Sequence, residues 1–485
     1  MNDGDRPSHA GEGGRVPSGA VSAPARADTA IVEHQPGFRA RRGINWFLLG
    51  LMYAAYYTCR YNISIAAPGI LDEFGFSRMR FGLINTGRHW SYAIGQVCNG
   101  LFTDRLGGKQ SMAIGAILTI VLSLLFGLGS YTKAGTALAL FILIRCLDGY
   151  AQAFGAPGMI KVNTAWFPRR ERGRFAGVFG LMIQFGQITI NNIGPLLLAG
   201  FSVPLIFTTL HIGGNWRWLF WFPPCIVGVV LILMYAFVRN NPEEAGYHVT
   251  HDPAEVEADE AIGERILLRD VFRTIVGKKM VWITAAAYFC TGVVRTAQFD
   301  WWVVYFNEAW GLPIKTSPLV KITGALLPIM AFLGSIASGF ISDILFRGKR
   351  APVAMGLYAV ESAVILGGAL LLGWSKTAGP GVAAVFMVLI SLTCNSTHSI
   401  LGTAAAMDLG GRKMAGFASG VIDSFQYIGA GLAGFGLGSL IDYTVRQTSL
   451  GWNAWFYFML PFSLCGMILM GIISYRLRGH EVVAG

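Results

Sequence analysis

Long apolar stretches separated by short polar breaks run from residue 44 almost to the end of the chain. Six fall near 44–71, 80–103, 110–131, 136–166, 175–202 and 217–238, and six more near 279–306, 317–342, 351–374, 379–406, 415–444 and 452–475. A helix needs ~20 residues to cross a hydrocarbon core of ~30 Å, and each stretch is long enough. The pattern predicts an all-α membrane protein with twelve transmembrane helices. Between the sixth and seventh lies 239–278, a polar stretch carrying Glu243, Glu244, Asp252, Glu255, Glu257 and Asp259. It reads as a soluble linker between two six-helix halves, 44–238 and 279–476. Residues 1–43 are rich in Gly, Pro, Ser and Ala and lack the apolar core of a signal peptide, so they read as a disordered tail. Residues 477–485 form a short C-terminal tail.

Composition agrees. Of 485 residues, 53% are hydrophobic and only 13% charged, about half the ~25% of soluble domains. Mean hydropathy is +0.51. Such a chain cannot bury its apolar surface in ordinary globular cores. The 62 glycines suit helices that approach closely. The seven cysteines show no CxxC pair and no metal spacing, and no nucleotide-binding loop is present. Neither a metal, a cofactor nor enzymatic chemistry is expected.

The net charge of +11 is explained by position. With both termini on the cytoplasmic side, the near-membrane tail, the even-numbered breaks and the C-terminal tail carry 22 Lys and Arg, against 7 on the opposite side. That bias predicts a multi-pass protein of the inner (plasma) membrane with both ends inside. It leaves no basic stripe for nucleic acid.

The halves resemble each other. Ile94-Gly95…Gly100-Leu-Phe-Thr-Asp104 matches Leu333-Gly334…Gly339-Phe-Ile-Ser-Asp343, and Ala176-Gly177 matches Ala415-Gly416, both at an offset of 239 residues. A duplicated six-helix unit is the arithmetic of the major facilitator architecture. Asp104-Arg105-Leu-Gly107-Gly108-Lys109 looks like that superfamily's signature loop, with Asp343 beginning its echo. The charges Asp104, Arg105 and Asp343, with Arg172 in the Glu171-Arg172-Gly173 loop, are candidates for an inner gate. The alternative is a positive-inside turn without a gating role.

Six basic residues fall inside spans: Arg60, Arg88, Arg145, Lys161, Arg295 and Lys321. Burying a charge there costs several kcal/mol unless it is paired or hydrated. Arg60 lies mid-span in the first helix, with Tyr53, Tyr56 and Tyr57 on its face. Arg295 lies mid-span in the seventh, with Gln298 and Trp302 on its face. One arginine from each half suits a fork-shaped clamp on a phosphate. The alternative is neutralisation of each by a buried carboxylate such as Asp148, Asp300 or Asp423.

Tyr53-Ala-Ala-Tyr56-Tyr57-Thr-Cys-Arg60-Tyr61-Asn62, Glu171-Arg172-Gly173 and Arg295-Thr-Ala-Gln-Phe-Asp300-Trp301 resemble the organophosphate:phosphate antiporters, over roughly residues 44–476. These include the bacterial glycerol-3-phosphate and hexose-6-phosphate transporters. The resemblance implies exchange of an organophosphate for inorganic phosphate by alternating access, in a monomer. It implies phosphate binding by Arg60 and Arg295, with Tyr53 and Tyr427 on the cavity wall. Departures are concentrated around the organic moiety. The glycerol-3-phosphate member's fifth-helix His aligns with Ile183, its second-helix Lys with Gln96, and its Lys after the first-helix Arg with Tyr61. The hexose-phosphate member's eleventh-helix Lys appears as Ile422.

Other polar positions are candidates for that part of the pocket. Gln184, Gln187 and Asn191 share a face of the fifth helix, and the offset maps the first two onto Asp423 and Gln426. Tyr57, Gln298, Asn395 and His398 complete the expected wall, although interhelical hydrogen bonds would place the same residue types. Arg88 and His89 reach substrate only if Arg88 faces inward. Arg145 and Asp148 read as an internal ion pair, with Gln152 on the same face. Two rival functions remain: a transporter-like sugar-phosphate sensor signalling to a membrane kinase, and a proton-coupled carboxylate or drug carrier using Asp148 or Asp423.

Overall fold

The computed structural model describes residues 35–167, 169–204, 209–247, 277, 279–346, 349–374 and 378–483. Only the backbone is described for 169–179, 210, 374, 403–419 and 477–483. The tail up to residue 34, the linker over 248–276 and residues 347–348 lie outside the described residues.

The first half contains α1 (Phe38–Phe74), α2 (Arg78–Leu106), α3 (Gly108–Gly129), α4 (Ala134–Gln152), α5 (Gly155–Trp166), α6 (Arg169–Ala199) and α7 (Trp218–Phe237). The second contains α8 (Lys279–Trp310), α9 (Pro318–Phe340), α10 (Arg350–Trp374), α11 (Pro380–Ser399), α12 (Ala406–Gln447) and α13 (Ala454–Val483). Among the described residues, nine helical segments are long and apolar enough to cross a membrane. The remaining span-length helices, α1, α2 and α6, are equally long but more polar, and two of them carry much of the centre described below.

The helix positions follow the apolar stretches, with three differences. α1 begins at Phe38, inside the segment expected to be tail. The fourth span is broken into α4 and α5 at Ala153-Phe154. A two-stranded hairpin, β1 (Phe201–Pro204) with β2 (Thr209–Ile212), occupies the break before α7. The α2–α3 corner needs Gly107, whose φ of 85° is a left-handed conformation that β-carbon-bearing residues rarely adopt. Ser77 and Ser317 cap the first turns of α2 and α9 by accepting from Arg80 N (3.3 Å) and Val320 N (3.5 Å).

The duplication appears in the packing. A Cβ on Gly95 would press on Ala153, and one on Gly334 would press on Leu392, so both contacting pairs repeat at the 239-residue offset. Small residues therefore bring α2 against the α4–α5 junction in one half and α9 against α11 in the other.

The halves meet along α1 with α8, α2 with α12, and α6 with α9. Gly82 lies against the backbone of Gly434, and Gly438 against that of Arg78. Thr86 donates to Gly431 O (2.7 Å), Trp90 to Ile428 O (3.2 Å) and Asn191 to Gly324 O (2.7 Å). These contacts lie between mid-membrane and the face opposite the termini. On that face Arg78 Nε reaches Glu308 (2.7 Å), Arg78 Nη1 reaches Asp442 (3.1 Å), and Asp442 also accepts from Met79 N (2.9 Å). The cross-half hydrogen bonds and ion pairs seen among the described residues all lie at the centre or on this far side.

Candidate substrate-binding site at the seam of the two halves

Arg60 is held by α1 at the middle of the bundle and is 3% exposed. Its Nε donates to Gln152 Oε1 (3.0 Å), and its guanidinium stacks over Tyr57 (4.4 Å) and Tyr92 (4.6 Å). Its buried Nη2 has no partner. Gln152 is oriented in turn, since its Nε2 donates to both oxygens of Asp148 (3.0 Å each). Asp148 also takes Arg145 Nη1 (3.1 Å), and Arg145 Nη2 donates to the carbonyl of Arg60 (3.3 Å). The expected Arg145–Asp148 pair therefore forms, and through Gln152 it fixes the direction of Arg60.

Arg295 comes from α8. It is buried, donates Nε to Asn395 Oδ1 (3.2 Å) and lies over Phe299 at 5.6 Å. Asn395 is anchored by donating Nδ2 to Ser391 O (2.9 Å). Among the described residues no carboxylate forms an ion pair with Arg60 or Arg295. Asp148 is used by Arg145, and Asp300 pairs with His89 (3.0 Å). Asp423 makes no described ion pair.

Both guanidiniums line one narrow central pocket, together with Arg88, His89, Asp300 and Tyr427. Tyr61 and Phe299 close it laterally, with ring centroids 6.0 Å apart across the seam. Tyr427 packs on Tyr92 (4.3 Å) and stacks near His89 (6.3 Å). The cavity is thus a cationic chamber with aromatic walls.

The other expected wall residues divide. Tyr53 and Tyr57 pack edge-on at 5.5 Å beside Arg60. Gln184 and Gln187 are buried with Oε1 atoms lacking partners, on a helix pressed against α1 through Gly186. Asn191 is taken by its bond to α9. Gln298 is drawn into packing, donating to Met387 O (2.5 Å), and the adjacent Phe299 and Thr296 line the cavity in its place. His398 binds Tyr288 (2.7 Å) and stacks on its ring. Sequence reasoning did not single out Tyr92, Thr296 or Phe299. Tyr92 stands one turn after Arg88, which was the available signal.

The charges expected to gate the inner side are exposed. Asp104 pairs with Lys161 (2.8 Å) of its own half, and Asp343 with Arg350 (3.4 Å) of its own. Lys161 and Lys321 are exposed, so neither is buried inside the protein. Arg105 is exposed, and the Arg172 side chain lies outside the described residues.

Two pseudo-symmetric helical halves around a central cationic chamber, shut on one face, define a multi-pass membrane carrier. The chain belongs to the Major Facilitator Superfamily, whose family model matches residues 49–434. Similar sequences include a probable hexose phosphate transport protein of Chlamydia trachomatis, 26% identical over 91% of this chain and 92% of that protein. The membrane sensor protein UhpC of Escherichia coli is 26% identical over 87% and 91%. The glycerol-3-phosphate transporter of Bacillus subtilis is 26% identical over 87% and 89%. Among solved structures, a D-xylose–proton symporter superposes with a TM-score of 0.68 at 12% identity, over 89% of this chain and 97% of that one. A bacterial homologue of the lysosomal transporter Spinster does so with 0.65 at 15%, over 89% and 95%.

Proposed function

We propose that this protein exchanges a small organophosphate for inorganic phosphate across the inner membrane as a monomer, with both termini cytoplasmic. One observation carries the reading: Arg60 and Arg295, one from each half, face a single cavity and are unpaired with any described carboxylate. A phosphate oxygen pair accepts from each fork, so the bound dianion bridges the halves and removes the repulsion between them. The chamber is shut on the far face, so substrate enters from the cytoplasmic side in this conformation. Rocking about the centre then exposes it to the other side, as alternating access requires. The printed names of the relatives, hexose phosphate and glycerol-3-phosphate transporters among them, support the substrate class.

A second reading, a sugar-phosphate sensor, is favoured by the relative named a membrane sensor. Purified protein in phosphate-loaded proteoliposomes separates the two. Exchange of labelled phosphate for external organophosphate supports transport, whereas tight organophosphate binding without exchange refutes it in favour of the sensor. Uptake driven by pH without counter-phosphate would instead favour a proton-coupled carrier.

A further inference from the structure

Glu361 is a buried carboxyl group for which phosphate exchange has no use. It stands near the middle of α10, on the same buried side as Tyr358 and Ile365, and is 0% exposed. Neither of its oxygens has a hydrogen-bond partner, and among the described residues no cation pairs with it. It lies apart from the central chamber, whose lining residues come from α1, α2, α8 and α12 and not from α10. α10 packs on α11 and α13 and is hydrogen-bonded to α8 through Tyr358. An ionisable residue inside a spanning helix is costly and points to a function.

The hydroxyl hydrogens around Glu361 are already engaged elsewhere. Ser463 of α13 faces the carboxyl, but it donates to Tyr358 O (3.2 Å). Ser362 donates to Ser463 Oγ (2.9 Å). Tyr358 donates to Ala287 O (2.5 Å), which leaves Thr291 as the donor to the Tyr358 oxygen (2.6 Å). Cys290 of α8 and Cys394 of α11 are the other titratable neighbours, and thiols bring no positive charge. An ionised Glu361 would therefore have neither a donor nor a counter-ion, the setting in which a buried acid keeps its proton. The protonated acid fits, because its own O–H can turn to Ser463 Oγ, which has a second lone pair open.

We propose that Glu361 is a proton-binding site of the second half, and that release of its proton loosens α10 from α11 and α13. The ligand is a proton, and the site is separate from the substrate chamber. Its state reaches the chamber only through shared helices, since α11 also carries Asn395, which holds Arg295. In the unfolded chain a glutamate is ionised above about pH 4.3, whereas the folded chain keeps Glu361 protonated. The folded state thus binds more protons, so stability falls as pH rises. The folding equilibrium loses about tenfold per pH unit until the folded site itself ionises. A glutamine at this position has no such dependence.

The test compares the full-length protein with Glu361→Gln, which keeps the shape of the neutral acid, and Glu361→Met, which removes the polar atoms. Infrared spectra in liposomes should show a protonated-carboxyl band at neutral pH that both variants lack and that the parent loses as pH is raised. Thermal melts in detergent from about pH 5 to about pH 8 should show the Tm of the parent falling relative to that of Glu361→Gln. Spectra in which parent and variants share the same carboxyl bands overturn the proposal. A Tm gap that stays constant with pH overturns it as well, because a glutamate with a purely structural role predicts that pattern. A band that vanishes, with a gain in Tm, on adding sodium at fixed pH assigns the site to a metal cation and also overturns it. Should neither variant assemble, a lipid-soluble carbodiimide, which adds to protonated carboxyls, should mark Glu361 in the peptide map of the parent. An unmarked Glu361 then overturns the proposal.

Discussion

The far-side seam is held at its rim by Asp442, and replacing it tests the conformational argument. Asp442 accepts from Arg78 Nη1 and from the amide nitrogens of Arg78 and Met79, the first residues of α2. It is at once an ion-pair partner and an anion at a helix N-terminus, contributed by the opposite half. The charged side chains are 15–20% exposed, so the pair is worth about 1 kcal/mol, the upper end for accessible ion pairs. The helix N-terminus adds ~0.5–1 kcal/mol. Asp442→Asn keeps the shape and removes the charge, which weakens the closed seam by about 1.5–2 kcal/mol. At ~1.4 kcal/mol per decade, the outer-open population rises roughly 10- to 30-fold. The assay places a single cysteine at Ala93, buried beside Ser424 at the inner limit of the seam, in a cysteine-free background. A membrane-impermeant thiol reagent is then applied to the face opposite the termini. Labelling should accelerate by at least tenfold in Asp442→Asn, and high salt should narrow the difference. A rate within twofold of the parent at low salt would refute the claim that this rim latches the seam.

Arg60→Lys and Arg295→Lys keep the charge but lose the fork. Losing one charge-assisted hydrogen bond of ~1.5–3 kcal/mol should weaken phosphate binding about tenfold or more in each, read by calorimetry; unchanged affinity in both would remove the clamp. Gly82→Leu places a side chain where the backbone of Gly434 now lies, so the Ala93 cysteine should label rapidly even with Asp442 intact, while exchange stops. Asn395→Ala frees Arg295 Nε without removing charge and should weaken phosphate binding by less than Arg295→Lys does, roughly three- to tenfold for a hydrogen bond worth ~1 kcal/mol.

The spans were legible because a membrane helix must be continuously apolar, and a charge inside one is conspicuous. Arg60 and Arg295 stand out for that reason, and the folded chain places both in the cavity. The face each helix turns to the cavity was harder to read. Nearly every residue of α8 from Val281 to Phe306 is buried, so its apolar pattern has no weak side. Counting turns from Arg295 selected Gln298, whereas Phe299, about 100° further round the helix, lines the chamber. The far-side latch was illegible for another reason. Arg78, Glu308 and Asp442 sit at helix ends, where polar residues are ordinary, and their partners lie 230 and 364 residues away. No local spacing encodes such a pairing. The inner-gate charges fall between these cases: their loop is readable, but the folded chain pairs Asp104 and Asp343 within their own halves.

The centre breaks the symmetry that the scaffold keeps. The 239-residue offset carries Gly95 onto Gly334, but it carries Arg60 onto Phe299, Tyr61 onto Asp300 and Arg88 onto Leu327. Arg295 likewise descends on Tyr56. The two clamp arginines therefore occupy positions one helical turn apart, not equivalent ones. Equivalent positions would give a chamber with two like ends, able to hold two anions or one anion in two orientations. Displacing the charges, with Arg88, His89 and Asp300 on one side only, gives the chamber two unlike ends. The repeated glycine contacts give each half a rigid body. On the proposed exchange reading, the cations between those bodies give them a reason to close only when an anion is present. Exchange without leak follows, because an empty chamber keeps its repulsion and a loaded one loses it.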